Sequence, residues 1–203
     1  MKHTWLEWAK RIQSIAQAGL AYSKDPFDIE RFHELRTISA EIVEKHTDVP
    51  FEKIRDLFLN ETGYQTPKID IRAVVFQGNK LLLVQEKSDQ KWTLPGGWAE
   101  PGYSLSENVV KEVKEESGYN VQATRVLAIL DRDRHGHTPN PYSIYKIFVL
   151  CDFLGGAPQA SIETSDVGFF DLESLPPLSV DRITEKQVRK LVKIAKDNII
   201  WFD

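Results

Sequence analysis

Residues 94–119 read LPGGWAEPGYSLSENVVKEVKEESGY, and this stretch decides how the rest of the chain is interpreted. It begins as the end of a strand, passes through a glycine-rich loop and continues as a helix. Ser104 followed by Glu107 has the spacing of a capping box, and Gly118 stands where a helix commonly stops. The stretch therefore predicts a helix over residues 105–117 that follows a bare glycine loop.

Three glutamates lie on one face of this predicted helix. Glu112 is one turn away from both Glu115 and Glu116, so the three carboxylates can converge on one patch. Alone, such a pattern is more typical of an ordinary solvated helix face. The preceding Gly96-Gly97 changes that interpretation, because bare backbone can approach an ion or a phosphate closely. A divalent cation would remove the repulsion between the carboxylates, and their hard oxygens suit Mg²⁺ or Mn²⁺.

The same stretch resembles the Nudix box, Gly-x5-Glu-x7-Arg-Glu-U-x-Glu-Glu-x-Gly-U, in which U is aliphatic. Six positions match in register: Gly97, Glu112, Val113, Glu115, Glu116 and Gly118. Three positions depart from it: Tyr103 replaces the first glutamate, Lys111 the arginine and Tyr119 the last aliphatic residue. In the family the arginine orients the glutamates by a bidentate contact that a lysine cannot reproduce. The departures leave the rate of turnover and the metal arrangement open.

The resemblance implies a fold, a reaction and a set of site residues. The fold is α/β: a Nudix-type α/β/α sandwich with a mixed sheet over residues 67–198, preceded by a small helical N-terminal domain over residues 1–65. The reaction is metal-assisted hydrolysis of a diphosphate, with Mg²⁺ or Mn²⁺ as cofactor. Glu112, Glu115, Glu116 and Gly97 are the implied metal site. The three glutamates are also the predicted catalytic residues, with Glu115 as third ligand or proton acceptor.

The sequence around the box predicts strands and helices in mixed order. Apolar runs predict five strands, at residues 69–76, 81–85, 126–130, 145–153 and 168–170. A last helix is predicted from about Ile183 to Lys196, opened by Thr184 with Gln187 three residues later. Elements in this order favour an α/β/α sandwich around a mixed sheet. Cys151, inside one predicted strand, is expected to be a buried structural thiol.

The first 65 residues are predicted to be helical. The first helix is indicated by the possible capping box of Thr4 and Glu7 and by a recurring set: Trp5, Trp8, Ile12, Ile15, Gly19 and Tyr22. A second helix is expected near Asp28 after the break at residues 24–26, with an apolar stripe of Ile29, Phe32, Leu35, Ile38 and Ile42. A third is expected from about Pro50 to Asn60. Too few helices are present to bury these stripes alone, so we expect packing on the rest of the chain or a homodimer.

Charge and composition exclude several partners. Residues 1–66 carry nine Lys or Arg against eleven Asp or Glu, without a basic face, so sequence-specific DNA binding is not expected. The net charge of −4 argues against a broad basic surface for nucleic acid. No apolar run approaches the roughly 20 residues of a membrane span, so no membrane partner is expected. A single cysteine and the absence of a secretory pattern predict a cytoplasmic protein.

Beyond the box, the chain looks like the Nudix subgroup that acts on nucleoside diphosphates linked to X, which includes CDP-choline and ADP-ribose pyrophosphatases. A small nucleotide is therefore the expected partner. Five residues are candidates for contacting it: Arg72, Trp98, Arg132, His137 and Lys146. For the three cations, a surface salt bridge is the competing interpretation, and Trp98 could stack on a base or close the core. Glu163 and Asp166 are alternatives for an extra acid outside the box.

Three functions remain open from the sequence. The leading one is hydrolysis of the pyrophosphate bond in nucleoside diphosphate-X compounds, with CDP-choline or ADP-ribose as first candidates. The second is hydrolysis of nucleoside triphosphates or of RNA ends. The third is a ligand-binding or regulatory module that has lost catalysis through Tyr103 and Lys111. The base and the X group depend on loops whose geometry the sequence does not give.

Overall fold

The computed structural model describes residues 4–47, 54, 61–197 and 199–203. The chain forms two compact units: Met1–Pro67 with Pro139–Ser143, and Lys68–Thr138 with Ile144–Asp203. In the described part of the chain, no helix is both long and apolar enough to cross a membrane.

The first unit contains two long helices, α1 (Thr4–Tyr22) and α2 (Pro26–Lys45). The Asp25 side chain caps α2 by accepting hydrogen bonds from the N–H groups of Phe27 and Asp28, at 2.9 and 3.1 Å. The predicted start near Asp28 is therefore two residues late. Pro26 belongs to the first turn instead of the break, because its fixed φ and missing N–H suit that position. The predicted third helix lies outside the described residues except for the buried Ile54.

The buried face of α1 differs from the predicted apolar stripe. Trp8, Ile15 and Tyr22 are 56%, 59% and 71% exposed, so the prediction is wrong for these three. The face that is buried consists of Leu6, Ala9, Gln13, Ala16 and Gln17. Small side chains occupy much of this face because α2 packs close against it. The Ser39 hydroxyl of α2 donates a hydrogen bond to the Ala9 carbonyl of α1 at 2.8 Å. The close packing of the two helices also buries Ser39 of α2. Ile38, which was predicted to belong to the apolar stripe of this helix, is exposed.

The second unit is a seven-stranded mixed sheet with a helix on each face. Its strands are β1 (Lys68–Gln77), β2 (Lys80–Glu86), β3 (Trp92–Thr93), β4 (Tyr119–Asp131), β5 (Ile144–Gly156), β6 (Thr164–Asp171) and β7 (Trp201–Phe202). The order is β3-β2-β1-β5-β4-β7, with β6 also paired to β2. The helices are α3 (Leu105–Ser117) and α4 (Glu185–Asp197). The pairs β1–β5 and β4–β7 are parallel, and the other pairs are antiparallel.

Two apolar clusters cover opposite faces of this sheet. Alternate residues of β1 divide between them, as expected for a strand buried on both sides. Ile71, Ala73 and Val75 belong to the cluster that contains Val109 and Val113 of α3. The other cluster contains Val74, with three residues of α4: Val188, Leu191 and Ile194. The predicted α/β/α sandwich with N-terminal helices is confirmed.

The five predicted strands are all present and each is longer than expected. Of the two short strands, β3 lies directly before Leu94, which was interpreted as the end of a strand, whereas β7 was not predicted. A two-residue strand carries no periodic signal, so only its pairing partners reveal it. Cys151 is buried as expected, and burial raises the pKa of its thiol to about 12. For α4, the Thr184–Gln187 cap is present, with the Thr184 N–H donating to the Gln187 side chain at 3.0 Å.

Helix α3 begins and ends at the residues that the sequence predicted. Ser104 accepts a hydrogen bond from the Glu107 N–H, and the Glu107 carboxylate accepts one from the Ser104 N–H. At the other end Gly118 has φ +75°, and a Cβ there would lie 2.5 Å from the Ala157 carbonyl oxygen. The helix that carries the three glutamates is thus fixed at both ends by local sequence.

We expect Ser104→Ala to lower the free energy of unfolding by about 1 kcal/mol, because the cap of α3 is lost. Urea denaturation measures this change. Ser106→Ala is the matched control, since Ser106 is exposed inside the same helix and alanine favours helix there. Equal destabilisation by both substitutions would contradict the capping role.

Candidate functional site

The glycine loop, residues 95–99, lies alongside β1 as a short antiparallel segment. Three backbone hydrogen bonds of 2.8–2.9 Å join the two: Ala73 N–H to Pro95 O, Ile71 N–H to Gly97 O, and Ala99 N–H to Ile69 O. Gly96 has φ +137°, and a Cβ on it would lie 2.1 Å from the Ile71 carbonyl oxygen. Only glycine can occupy this position, because both the backbone conformation and the close approach exclude a side chain.

Two of the three box glutamates reach this loop. The Gly96 N–H donates a 2.8 Å hydrogen bond to Oε2 of Glu116. A Cβ built on Gly97 would lie 3.2 Å from Oε2 of Glu112, so the bare backbone leaves room for that carboxylate. The loop and α3 are therefore joined by the Glu116 hydrogen bond, and Glu112, one helical turn away, lies beside the Gly97 backbone.

Both carboxylates sit in an environment that disfavours their charge. Burial raises the pKa of Glu116 to about 8, against the opposing influence of Arg72 and of the Gly96 N–H. Burial likewise raises the pKa of Glu112, and the neighbouring carboxylates Glu115 and Glu163 add to the rise. One buried carboxylate, Glu116, and one half-buried carboxylate, Glu112, beside a side-chain-free backbone fit a hard divalent cation, whose charge would offset the burial.

The third box glutamate points elsewhere. Lys111 donates hydrogen bonds to Glu115 Oε2 at 2.9 Å and to Glu100 Oε1 at 3.2 Å. The Glu115 contact is the main reason that the pKa of Lys111 lies well above its usual range. Within the described ranges, no group of three or more His, Cys, Asp or Glu side chains is placed to hold a metal ion. The structure thus brings Glu112 and Glu116 together and leaves Glu115 in an ion pair at the surface.

Tyr103, where the family has a glutamate, is half-exposed, and its main chain belongs to the turn that precedes α3. Asn108 is buried and holds that turn with its side-chain amide. Its Nδ2 donates to the carbonyl oxygens of Glu100, Tyr103 and Ser104 at 3.2–3.3 Å, and its Oδ1 accepts from the Glu100 N–H at 2.9 Å. The backbone at Tyr103 is therefore held by Asn108 independently of its side chain.

The two strand cations among the candidates, Arg72 and Lys146, are buried, and neither forms a surface salt bridge. Arg72 donates from Nε to Asp70 Oδ1 at 2.8 Å and from Nη1 to the Leu94 carbonyl at 3.1 Å. The Lys146 ammonium, which is fully buried, donates to the other oxygen of Asp70. Burial lowers the pKa of Lys146 to about 8, and Asp70 opposes that shift. Their charged ends bind protein oxygens in this structure.

Arg132 and His137 lie where β4 leaves the sheet. Arg132 is also buried, and its Nη1 donates to the Thr138 carbonyl at 2.6 Å. His137 Nδ1 lies 2.7 Å from the Val180 carbonyl oxygen, so Nδ1 carries the hydrogen and Nε2 is an acceptor. Burial lowers the pKa of His137 to about 4, which keeps the ring neutral near pH 7. No partner is found for this buried Nε2 among the described residues.

Trp98, Glu163 and Asp166 are the remaining accessible candidates. Trp98 follows the two glycines and is 50% exposed, so it does not close the core. Glu163 is exposed. Its negative charge raises the pKa of Glu112, in addition to the larger effect of burial. Asp166, also exposed, is not among the causes of that shift. Thr164, next to Glu163, donates from its hydroxyl to the Glu116 carbonyl at 2.8 Å, which ties this segment to α3.

Sequence reasoning missed Glu86, the last residue of β2. It is buried, and it pairs with Nε of Arg182 at 2.7 Å. Its charge also contributes to the raised pKa of Glu116, after the larger effects of burial and Glu112. The available signal was a glutamate two residues beyond the apolar run of residues 81–84, on the same strand face as Leu82 and Val84. A carboxylate on a buried face needs a partner.

Two segments of the chain match known protein families. Residues 66–191 match the NUDIX domain. The chain belongs to the Nudix family. Residues 3–58 match a second description, the UDP-X-like N-terminal oligomerisation domain. The prediction of a Nudix pyrophosphohydrolase is therefore confirmed, and so is the resemblance to the subgroup with an N-terminal helical domain.

Two of the relatives match nearly the whole Nudix chain, and a third matches about two thirds of it. A putative ADP-ribose pyrophosphatase of Bacillus subtilis is 51% identical over 187 residues, which cover 92% of this chain and 90% of the relative. A crystal structure of a UDP-X diphosphatase is 32% identical, covers 98% of both chains and has a TM-score of 0.65. An ADP-ribose pyrophosphatase structure from Streptococcus suis is 46% identical, with a TM-score of 0.62, over 68% of this chain and 100% of that one.

The raised pKa of Glu116 predicts a pH-dependent stability. The folded state holds this proton up to a pH of about 8, whereas an unperturbed glutamate releases it near 4.5. The folded state therefore binds more protons across this window, and the free energy of unfolding should fall as the pH rises. The fall from this group is at most about 1.4 kcal/mol per pH unit.

Urea denaturation across that window, in the presence of a chelator, measures the effect. Glu116→Gln should flatten the dependence, because the amide does not titrate. A slope that is the same in the wild type and in Glu116→Gln would show that Glu116 is not the responsible group.

Proposed function

We propose that this Nudix protein hydrolyses the pyrophosphate bond of nucleoside diphosphate-X compounds with the help of Mg²⁺ or Mn²⁺. The observation that carries the proposal is the pair of carboxylates next to the glycine loop, the buried Glu116 and the half-buried Glu112. ADP-ribose is the first candidate substrate, supported by the names of the Bacillus and Streptococcus relatives. A nucleotide of the UDP-X class and CDP-choline are the next candidates, the former supported by the UDP-X diphosphatase structure.

Glu112 and Glu116 are the proposed metal ligands, with the backbone of Gly97 beside them. When bound, a divalent cation supplies positive charge that neutralises the oxygens of the reacting diphosphate. Glu115 is the proposed third ligand or proton acceptor, and it must leave Lys111 to reach the other two. Glu163 is favoured over Asp166 as the extra acid, because its charge acts on Glu112.

Trp98 is the proposed stacking surface for the nucleotide base, because half of the side chain is exposed beside the glycine loop. His137 has a neutral ring whose acceptor nitrogen suits a sugar hydroxyl better than a phosphate. This nitrogen is buried, so a contact with the substrate requires the ring to become accessible first. Contacts of Arg72, Arg132 and Lys146 with phosphate remain predictions. Each would have to exchange a protein oxygen for a substrate oxygen.

We expect Glu112→Gln and Glu116→Gln each to reduce hydrolysis by roughly a thousandfold, since metal stabilisation of the transition state is worth several kcal/mol. Release of nucleoside monophosphate from ADP-ribose, UDP-sugars and CDP-choline, with Mg²⁺ or Mn²⁺, measures the activity. Glu173→Gln, at an exposed glutamate after β6, is the matched control and should keep full activity.

The same panel separates the alternatives. Turnover confined to nucleoside triphosphates or RNA ends would replace the proposed substrate class. Saturable ADP-ribose binding without turnover of any compound would identify a binding module instead. Full activity of both glutamine variants would overturn the assignment of the metal site.

We further propose that the protein is a cytoplasmic homodimer and that the first unit forms the interface. Trp8, Ile15 and Tyr22 lie seven residues apart on one face of α1, where all three are exposed. Such an apolar stripe is typical of an interaction surface. The family description of this segment as an oligomerisation domain supports the same interpretation. The single buried Cys151 suits a reducing compartment.

Substitution Ile15→Glu should convert the dimer to a monomer, because a charge in the centre of an apolar interface is costly to bury. Light scattering coupled to size-exclusion chromatography measures the mass. Ser14→Glu adds the same charge to the neighbouring exposed position off the stripe, and this control should remain dimeric. A wild-type monomer, or dimers for both variants, would refute this interface.

A further inference from the structure

Three charged residues form a buried ion cluster next to the glycine loop: Asp70, Arg72 and Lys146. Their exposed fractions are 8%, 5% and 0%. Asp70 uses both carboxylate oxygens, one for Arg72 Nε and the other for the Lys146 ammonium. The cluster therefore links β1, which carries Asp70 and Arg72, to β5, which carries Lys146.

Arg72 extends this cluster to the loop. With Nε held by Asp70, Nη1 donates to the carbonyl of Leu94, the residue immediately before the glycine loop. The Cα of Arg72 also lies 2.9 Å from the position that a Cβ on Gly96 would take. Gly96 in turn donates its N–H to Glu116. A continuous series of contacts thus runs from the buried cluster through the loop to a proposed metal ligand.

We propose that Arg72 is a positioning residue that fixes the glycine loop, and through it Glu116, in the geometry that binds the metal. This inference rests on the proposed function. Arg72 does not need to contact the substrate in this role, since its guanidinium is buried and already binds Asp70 and Leu94. A guanidinium suits the role because its planar fork can bind several acceptors at once, which a lysine ammonium does poorly.

The lysine variant distinguishes positioning from charge. If Arg72 acted on the site only through its positive charge, Arg72→Lys, which keeps that charge, would bind the metal as tightly as the wild type. If Arg72 positions the loop, its removal weakens metal binding, because Glu116 loses its fixed orientation. Loss of a residue that orients a metal ligand typically weakens the metal affinity by about tenfold or more.

The experiment measures Mn²⁺ binding to the full-length protein by isothermal titration calorimetry, together with amide hydrogen exchange at Gly96. Arg72→Met is the main variant: methionine fills similar space, and the remaining Asp70–Lys146 pair is neutral overall, so the fold should survive. Arg72→Lys keeps the charge without the fork. Both variants should bind Mn²⁺ about tenfold more weakly and exchange the Gly96 amide faster. In turnover, kcat should fall while KM for the nucleotide changes little.

Arg125→Met is the matched control. Arg125 also donates to backbone carbonyls, those of Ile194 and Ala195 at 3.1 and 2.7 Å, but these belong to α4. This variant should lose stability while Mn²⁺ affinity and Gly96 exchange stay at wild-type values.

Wild-type Mn²⁺ binding by Arg72→Lys, or unchanged or tighter binding by Arg72→Met with unaltered exchange at Gly96, would overturn the inference. Equal changes in the Arg125→Met control would overturn it as well, because they would reveal general loosening. A wild-type protein that binds no Mn²⁺ would refute the proposed function instead, and the Gly96 exchange would then decide the positioning role by itself.

Discussion

The hydrogen bond from the Gly96 N–H to the Glu116 carboxylate is the contact on which the site depends. It joins the glycine loop, which lies along β1, to the helix α3, which packs on the sheet beside it. The contact exists only because Gly96 adopts a left-handed conformation within reach of the Ile71 carbonyl, where no side chain fits. A single backbone position therefore sets the distance between the loop and the glutamates.

Electrostatics explains why this contact needs support. Glu116 is held in a buried position that disfavours its charge, and Arg72 lies close enough to oppose that effect. Within the buried ion cluster, Arg72 supplies positive charge that acts on both Glu112 and Glu116. Lys111 holds Glu115 away from this centre in the present conformation. Metal binding and the release of Glu115 from Lys111 are thus expected to be coupled.

The fold was predictable where the sequence carries a local or periodic signal. Helix α3 begins and ends as predicted, because the hydrogen bonds of Ser104 and Gly118 that cap it are made with residues three or four positions away. The long strands follow their apolar runs. The prediction failed for β7, which is defined only by its pairing with β4, and for the face of α1. There, α2 packs close against Ala9, so the small side chains are buried and Trp8 is left exposed.

For the site, the sequence by itself determined the glycine loop and the spacing of Glu112 and Glu116, because both follow from turn chemistry and helical periodicity. Only the tertiary structure decided that Glu115 pairs with Lys111 and that Arg72 lies beneath the loop. Burial and side-chain direction depend on elements that are distant along the chain, such as β5 behind β1. The sequence predicts which residues belong to the site. Which of these residues contact one another depends on how the strands of the sheet pack together.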